Sequence, residues 1–410
     1  MSHTISAPDL RAQVARIIEA AGSQSAEAAQ VADNLVMANL SGHDSHGVGM
    51  APRYVDAILE GRLNPKADAA VRVDAGALMG LDGQGGFGQW VGVQAMELAF
   101  ARVRQFGCCV FTLAHAHHLG RIGHFAEMAA EHGWVSLHFV NVDARPVVAP
   151  AGGSDGRFGT NPICMGIPVG TPGSPDPSRA FILDFATSRV AQGKMRVAHN
   201  EGRRVPEGYL IDAHGQPTTD PGVVVVPQAD GRMGALKTFG EYKGFGLAVV
   251  AELLGGALSG GGTWHREADG RRAVFNSMFC VVVDPVKLGT QDAFFAETRA
   301  FLDWLKQSPA APGQPPTQTI VSNGQRNVAS VSSISENIFL RMTTPVRQNI
   351  NAATRDDARA TLVAVYADDR EPGIRRKGAA DYVGLPLGDS FTTTNGSTLV
   401  QRHLLAIFVQ

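Results

Sequence analysis

Apolar residues near the start of the chain recur at the spacing of an amphipathic helix. In APDLRAQVARIIEA the apolar positions fall every three or four residues, and Gly22 follows the run. The segment AEAAQVADNLVMANL repeats this spacing after Ser25, a residue type that is typical of an N-cap. A third stretch of this kind, around Tyr54, ends at Gly61. The spacing predicts that the N-terminal region is helical.

Between residues 76 and 308, short apolar runs alternate with longer helical segments. The strand-like runs are LMGLD, CCVFTLAHA, WVSLHFVNV, FILDFA and AVFNSMFCVVV. Helical patterns follow the glycine-rich GQGGFG, the HHLGRIG turn and Lys243. This alternation predicts an α/β fold. GQGGFG is not followed, about 20 residues further on, by the acidic residue that holds a ribose in a Rossmann domain, so the sequence predicts a non-Rossmann arrangement.

The segment after residue 308 differs from the rest of the chain. APGQPP is typical of a linker, and residues 317–410 are polar with little sustained periodicity. We therefore predict three regions: an N-terminal helical region over 1–75, an α/β domain over 76–308, and an atypical polar tail over 309–410.

The composition is that of an ordinary globular protein. Of the 410 residues, 44% are hydrophobic and 18% are charged, and the formal net charge is −2. No basic stripe indicates nucleic acid, and no apolar run is long enough to span a membrane. The N-terminal residues lack the pattern of a secretory signal, so we expect a cytoplasmic protein. The four cysteines form no CxxC motif, which argues against a structural zinc site.

The sequence places a Ser45-His46 pair, followed by a glycine, between two predicted helices. Histidine changes its charge near neutral pH, and an adjacent glycine lets a ligand approach closely, so His46 is a candidate for proton transfer. The alternative interpretation is a helix cap, in which Ser45 or Asp44 accepts hydrogen bonds from free backbone amides.

Histidines are also concentrated in the segment HAHHLGRIGHF. On a strand, His115 and His117 would share one face, and His118 would lie on the other. Such proximity is compatible with metal binding, but a ligand set usually includes a carboxylate or a cysteine at workable spacing, and no HExxH motif is present. We therefore expect no metal and favour a turn whose histidine and glycine line a pocket. A solvated turn is the alternative.

Two charged residues stand out further along the chain. Asp184 lies inside the apolar run FILDFA, where a carboxylate is costly to bury without a partner. It could orient a histidine, or it could cap the helix that follows. Lys243 lies between glycines at a predicted helix start, a position that suits an anionic group such as a phosphate, although no Walker motif is present.

Several motifs, in this order, resemble the type II malate/L-lactate dehydrogenase family. They are GHDSHGVGMAPRYV, HHLGRIGHF, APAGGSDGRFGTNP, LDFATS with GK, GQPTTDP and YKGFGL, over roughly residues 5–308. The GHDSHGVGM form is most similar to the bacterial hydroxycarboxylate dehydrogenase branch. The resemblance implies a non-Rossmann mixed sheet flanked by helices, a nicotinamide cofactor (NAD or NADP), and a homodimer with its active site near the subunit interface.

The resemblance also implies roles for individual residues. His46 corresponds to the histidine that donates a proton to the substrate carbonyl, Ser45 to its hydrogen-bonding partner, and Asp184 to an aspartate that supports the pair. His118 corresponds to a pocket histidine, to which one branch of the family gives the acid–base role. The implied cofactor contacts are His46, Gly120, Arg121, Ile122, Ile182, Leu183, Asp184, Phe185, Ala186, Lys243 and Asn276.

The chain departs from the family pattern at two places. Many members have an arginine for the substrate carboxylate where this chain has Met50, a change that the hydroxycarboxylate dehydrogenase branch shares. Arg53 and Arg121 are then the candidate anchors of the substrate carboxylate, and His118 is a further candidate substrate contact. Met50 would make the pocket more apolar. After residue 309 we find neither the Pro-Gly-Glu block nor the basic helix with which members usually end.

These observations predict an oxidoreductase that transfers a hydride between NAD or NADP and a 2-oxo or 2-hydroxy acid. One alternative is the reduction of a cyclic imine, as in the piperideine-2-carboxylate branch. Another is a cofactor-binding protein whose altered tail has impaired catalysis.

Overall fold

The computed structural model describes residues 3–171, 174–175, 180–265, 274–312 and 337–340. Its α-helices are α1 (Ala7–Ala20), α2 (Ser25–Leu40), α3 (Ala51–Leu59), α4 (Gly88–Phe106), α5 (Gly123–Glu131), α6 (Gln192–Asn200), α7 (Tyr242–Ala251) and α8 (Gln291–Lys306). A π-helical segment, Glu252–Leu258, continues α7. The segments assigned to helices from their periodicity are confirmed.

The described strands number from β1 to β14 along the chain. They are β1 (His3–Ser6), β2 (Ala70–Ala75), β3 (Leu78–Asp82), β4 (Cys108–His117), β5 (Val135–Asp143), β6 (Pro162–Ile167), β7 (Gly170–Thr171), β8 (Ser174–Pro175), β9 (Phe181–Ala186), β10 (Leu210–Ile211), β11 (Pro217–Thr218), β12 (Ala235–Leu236), β13 (Phe275–Val283) and β14 (Asn337–Leu340). The segment GYLIDAHGQPTTDP, which has the composition of a loop, contains the short strands β10 and β11.

Seven of these strands form the central sheet, in the order β2-β3-β4-β13-β5-β6-β9. The β3–β4 pair is parallel, and the other neighbouring pairs are antiparallel. Helix α4 makes the crossover that a parallel pair requires, and Gly107, with φ of +81°, ends it in the left-handed conformation. The predicted α/β fold with a mixed sheet flanked by helices is confirmed.

The main hydrophobic core lies between this sheet and the helices α4 and α5. Buried residues of β3, β4 and β13 pack there against apolar side chains of both helices. The N-terminal helices α1, α2 and α3 bury a second cluster of their own.

Helix α2 begins one residue earlier than predicted: Gln24 is its N-cap, and Ser25 is its first helical residue. The prediction that Ser25 caps this helix is therefore wrong.

Strand β14 bears on the predicted division of the chain into regions. β14 lies inside the predicted polar tail and pairs antiparallel with β1 at the other end of the chain. The rest of the tail lies outside the described residues, and the three-region division stays a prediction.

Among the helices that the structure describes, none is both long and apolar enough to cross a membrane.

Candidate active site

The Ser45-His46 pair lies in a short 3₁₀ turn, Asp44–His46, between α2 and α3. The Asn39 side chain holds this segment, since its Nδ2 donates to Asp44 Oδ1 at 2.6 Å and its Oδ1 accepts from the Val48 amide at 2.8 Å. A Cβ on Gly47 would lie 2.1 Å from Asn39 Oδ1, so only glycine fits beside this side chain. Gly47 therefore accommodates Asn39, a packing role that the sequence did not suggest.

Ser45 does not act as a helix cap. Its Oγ lies 3.0 Å from His46 Nδ1, and the residue before the turn, His43, caps it with no side-chain hydrogen bond. Asp44 accepts from the Asn39 side chain instead of from a free backbone amide. The capping interpretation is therefore wrong, because both side chains are engaged elsewhere.

His118 lies directly after β4 and faces His46. The two imidazole rings are stacked, with centroids 5.4 Å apart and planes 18° from parallel. Tyr54 Oη of α3 lies 2.7 Å from His118 Nδ1, and Gln89 Nε2 of α4 donates to the same Oη at 2.7 Å. The fold thus brings together two predicted catalytic histidines from distant parts of the chain.

Both histidines are held in the neutral form at pH 7. Burial lowers the pKa of His46 to about 4, and the positive charges of His43 and Arg121 add to this. Burial, followed by the charges of His46, His117 and Arg53, lowers the pKa of His118 well below its ordinary value. A neutral imidazole nitrogen can accept a proton from a substrate hydroxyl.

The histidine segment of β4 is irregular, so His115 and His117 do not share a face. His115 adopts φ of +51° where the register with β13 shifts, and its side chain is exposed. His117 is only 3% exposed and packs edge-on against Tyr54 and Phe275. The bulge breaks the alternation on which the prediction depended. Within the part of the chain that the structure describes, no three His, Cys, Asp or Glu side chains are grouped to hold a metal ion.

Asp184 lies on β9 and contacts the turn that carries Arg121. Its Oδ2 accepts a hydrogen bond from the Gly123 amide, at the start of α5, at 2.8 Å. The helix that follows Asp184, α6, has Ala191 as its N-cap and no side-chain cap, so the prediction that Asp184 caps it is wrong. Burial raises the pKa of Asp184 to about 6, although the Arg121 charge and the Gly123 amide act to lower it.

Arg121 is buried and paired. Its Nη1 and Nη2 donate to the two carboxylate oxygens of Glu127 at 2.8 and 2.5 Å, and the residue is only 4% exposed. A bidentate pair of this kind fixes the guanidinium plane. The predicted carboxylate anchor is therefore already bound to a carboxylate of the protein.

Asn276, predicted to contact cofactor, holds the turn after His118. Its Oδ1 accepts from the Leu119 amide at 2.8 Å, and its Nδ2 donates to Asn141 O at 3.0 Å. The side chain is 3% exposed. In the same turn Gly120, which follows Leu119, has φ of +75°, which a residue with a Cβ adopts only with strain.

The other predicted site residues differ in exposure. Arg53 and Lys243 are exposed, whereas Met50 is buried in the cluster of the N-terminal helices. The remaining predicted cofactor contacts are buried or half-buried: Ile122, Ile182, Leu183, Phe185 and Ala186.

Sequence reasoning missed three residues next to the histidines. Tyr54 was counted as part of an apolar helix face, and Gln89 as part of a helix, although a buried tyrosine hydroxyl usually has a hydrogen-bond partner. Lys194 is the third. A Cβ on the preceding Gly193 would lie 2.8 Å from Ser45 Cβ, so the start of α6 packs on the pair. Its backbone amide donates to Ala191 O at 3.1 Å, and within the described ranges no hydrogen bond or ion pair of its side chain is found.

Residues 5–337 match the family described as malate/L-lactate dehydrogenase, and the chain belongs to that family. It is 43% identical over 309 residues to hydroxycarboxylate dehydrogenase B of Escherichia coli, which covers 75% of this chain and 82% of that protein. It is 43% identical over 303 residues to L-lactate dehydrogenase of Cupriavidus necator, covering 73% and 84%. The family and these relatives make the protein a hydroxy acid dehydrogenase, and the resemblance found in the sequence is confirmed.

A solved structure gives the same result for the fold. Sulfolactate dehydrogenase of Methanocaldococcus jannaschii is similar with a TM-score of 0.66 and 29% identity, over 78% of this chain and 90% of that one. A dehydrogenase of this family implies a nicotinamide cofactor, and the donor set fits one. Lys243 is an exposed cation at the start of α7, and β9 is the edge strand of the central sheet among the described strands.

Proposed function

We propose that the protein interconverts 2-oxo and 2-hydroxy carboxylic acids with NAD or NADP, and that His46 is the proton donor and acceptor. The observation that carries the proposal is the stacking of His46 on His118, with Ser45 hydrogen-bonded to His46 Nδ1. Because Ser45 occupies Nδ1, Nε2 is the His46 nitrogen available to a substrate oxygen.

The proton step follows from this arrangement. When bound, the nicotinamide supplies or receives the hydride at the substrate carbon. In reduction, the carbonyl oxygen gains negative charge and takes the proton from His46 Nε2. In oxidation, neutral His46 takes the hydroxyl proton through the same nitrogen. Ser45 keeps the ring oriented in both directions by its contact with Nδ1.

The charge of the substrate makes reduction feasible at neutral pH. Without substrate, burial and nearby positive charge keep the pKa of His46 at about 4, which favours the neutral base. A carboxylate bound beside the ring would favour the imidazolium and raise this pKa. A substrate with a carboxylate is therefore better matched to the site than a neutral ketone.

We assign the substrate carboxylate to Arg53. Arg53 is exposed and its charge acts on His118, whereas Arg121 is only 4% exposed. A guanidinium binds a carboxylate through paired hydrogen bonds. Lys194 follows Gly193, which packs on Ser45, and its charge acts on His43, so it is a second cation near the pair.

Asp184 supports the pair indirectly in this proposal. It binds the Gly123 amide and lies close to Arg121, so it fixes the turn behind the histidines rather than the ring of His46. The cofactor would lie between this turn, β9 and the start of α7, where Lys243 would face its phosphates or ribose. The contacts implied for Met50, Gly120, Ile122 and Asn276 stay predictions.

We further propose a homodimer. Large apolar side chains are exposed on α7, its π-helical continuation and α8. They are Tyr242, Val250, Leu253, Leu258, Phe301 and Trp304, with exposures from 39% to 68%. An apolar surface of this kind is typical of a protein interface. The cytoplasmic location stays a prediction from the sequence.

The test is a coupled panel of cofactors and acceptors with the full-length protein. Oxidation of NADH and of NADPH is followed with pyruvate, phenylpyruvate, hydroxyphenylpyruvate, oxaloacetate and piperideine-2-carboxylate. We expect turnover of at least one 2-oxo acid, and the ratio of the two cofactors' kcat/KM values then gives the cofactor preference. Turnover of the imine alone would replace the proposal by cyclic imine reduction. Cofactor binding without any turnover would indicate a catalytically impaired protein.

A further inference from the structure

A buried chain of hydrogen bonds leads from helix α4 to His118. Gln89 Nε2 donates to Tyr54 Oη at 2.7 Å, and Tyr54 Oη lies 2.7 Å from His118 Nδ1. Tyr54 and Gln89 are both fully buried, with 0% of each exposed. The chain therefore connects two helices to an imidazole in the candidate active site without contact with solvent.

The direction of these hydrogen bonds follows from their chemistry. An amide nitrogen can only donate, so Tyr54 Oη accepts from Gln89. Among the described residues, this buried hydroxyl has no hydrogen-bond partner besides Gln89 and His118, so the Tyr54 proton is directed to His118 Nδ1, which accepts it and must carry no proton of its own. A neutral imidazole has one ring proton, and that proton is consequently on Nε2.

Packing makes this arrangement rigid. The Tyr54 ring contacts Phe87 and His117 edge-on, with centroids 5.7 and 5.5 Å apart. Burial raises the pKa of the Tyr54 hydroxyl well above its ordinary value, so the group keeps its proton throughout the working pH range. Tyr54 is thus a permanent donor to His118.

We propose that Tyr54, held by Gln89, is a positioning residue that fixes His118 with its proton on Nε2 and its ring parallel to His46. His118 then donates a hydrogen bond to the substrate oxygen, while His46 alone exchanges a proton with it. This assignment rests on the proposed function of His46. It gives proton exchange to His46 and hydrogen-bond donation to His118, two roles that the sequence alone did not divide between the two histidines.

The charges around His118 agree with a neutral donor. The groups that act on it are His46 in the turn before α3, His117 on β4, and Arg53 and Tyr54 on α3. None of them is an anion that would stabilise an imidazolium. Removing the Tyr54 hydroxyl would free Nδ1 for protonation, and the pKa of His118 would rise.

Nitrogen NMR on the full-length wild-type protein tests the tautomer without any need for turnover. The His118 signals are identified among those of the 13 histidines by their loss in His118→Asn. We expect a pyridine-like shift for Nδ1 and a pyrrole-like shift for Nε2 at neutral pH. A pyrrole-like Nδ1 would overturn the proposal. This result is independent of the proposed reaction, so the two can fail separately.

Kinetics of Tyr54→Phe test the consequence for catalysis. We expect kcat to fall about tenfold, with KM and cofactor affinity nearly unchanged, because a hydrogen bond to the transition state is misdirected. The pH at which kcat declines on the acid side should also move upward, since Nδ1 can now be protonated. Gln89→Met should give the same changes in smaller degree, because Tyr54 still carries its hydroxyl.

The matched control is Tyr209→Phe, which removes a hydroxyl from a half-buried tyrosine in a different hydrophobic cluster. It should leave kcat and the pH profile unchanged. A purely structural role for Tyr54 would lower Tm and the fraction of active protein, but would not move the pH profile of the remaining activity. Unchanged kcat and unchanged His118 shifts in both Tyr54→Phe and Gln89→Met would exclude the positioning role.

Discussion

Two polar clusters of buried and half-buried residues lie side by side in this protein, and they differ in how many of their hydrogen-bonding atoms are engaged. The histidine cluster consists of His46, His118 and Tyr54, and the ion cluster of Asp184, Arg121 and Glu127. In the ion cluster, both terminal nitrogens of Arg121 bind Glu127, and Asp184 binds the Gly123 amide. In the histidine cluster, each imidazole is fixed through Nδ1, and the described residues provide no hydrogen bond to either Nε2.

The difference supports our proposal that the histidine cluster performs the chemistry. Groups that bind one another on both sides hold a loop in place, as Arg121 and Asp184 hold the start of α5. Groups fixed from one side, with the second nitrogen unengaged, can exchange a proton with a ligand. The family resemblance implied roles in both clusters, and we propose the histidine cluster as the reacting set and the ion cluster as the supporting set.

The largest expected effect is on the histidine cluster, in His46→Ala. We expect kcat to fall by about 10²–10⁴, the usual value of a positioned acid–base group. NADH or NADPH binding, measured by fluorescence titration, should be nearly unchanged, because the ring acts on the substrate oxygen. His214→Ala, at an exposed histidine, is the matched control and should keep full activity. Full turnover by His46→Ala would remove His46 from the mechanism.

The corresponding change in the ion cluster is Arg121→Met, whose main effect should be on stability. Removing one partner of a buried pair leaves the other carboxylate unpaired, which costs about 3–5 kcal/mol in the free energy of unfolding. Denaturant titration measures this loss. Arg72→Met breaks the exposed pair with Asp82 and should cost less than about 1 kcal/mol. Equal losses in the two variants would contradict the supporting role of Arg121.

Much of the fold could be predicted from the sequence, because periodicity reports which face of each element is buried. The long helices and the strands β3, β4, β5, β9 and β13 were found in this way. β6 was missed: the run PICMGI begins with proline and contains glycine, and only its pairing with β5 and β9 makes it a strand. β2 was missed because its side chains are mostly exposed.

Residues of the candidate site could be predicted where they belong to a short local motif. They could not be predicted where their role depends on the contact between two separate elements. His46 and His118 were found from local motifs. Tyr54 and Gln89 are ordinary residues in their helices, and their role depends on how α3 approaches α4. The exposed His115 likewise depends on a bulge against β13, which no local pattern encodes.

The two clusters should also respond to pH with opposite sign. The pKa of Asp184 is raised to about 6 from 3.8, so its contribution to the free energy of unfolding is full below about pH 4 and is lost as the pH rises through 6. The pKa of His46 is lowered to about 4 from 6.5, so its contribution is full above pH 6.5 and is lost as the pH falls through 4. Each is worth about 3 kcal/mol.

Between pH 4 and 6.5 these contributions oppose each other in the wild type. Relative to it, Asp184→Asn should gain stability as the pH rises, and His46→Gln should lose stability as the pH rises. Denaturant midpoints across this range measure both slopes. Parallel slopes for the two variants would show that the clusters do not carry opposite proton linkage.

The smallest expected effect concerns the cation that binds the substrate carboxylate, for which Arg53 is compared with Lys194. Arg53→Gln removes a charge-assisted hydrogen bond to the substrate, so we expect KM for the preferred 2-oxo acid to rise about tenfold, with a smaller change in kcat. Lys194→Gln is the matched loss of a second cation, one whose charge acts on His43, and it should raise KM less. Because Arg53 is exposed, neither change should alter the unfolding midpoint appreciably. A larger rise in KM for Lys194→Gln than for Arg53→Gln would transfer the anchoring role to the start of α6.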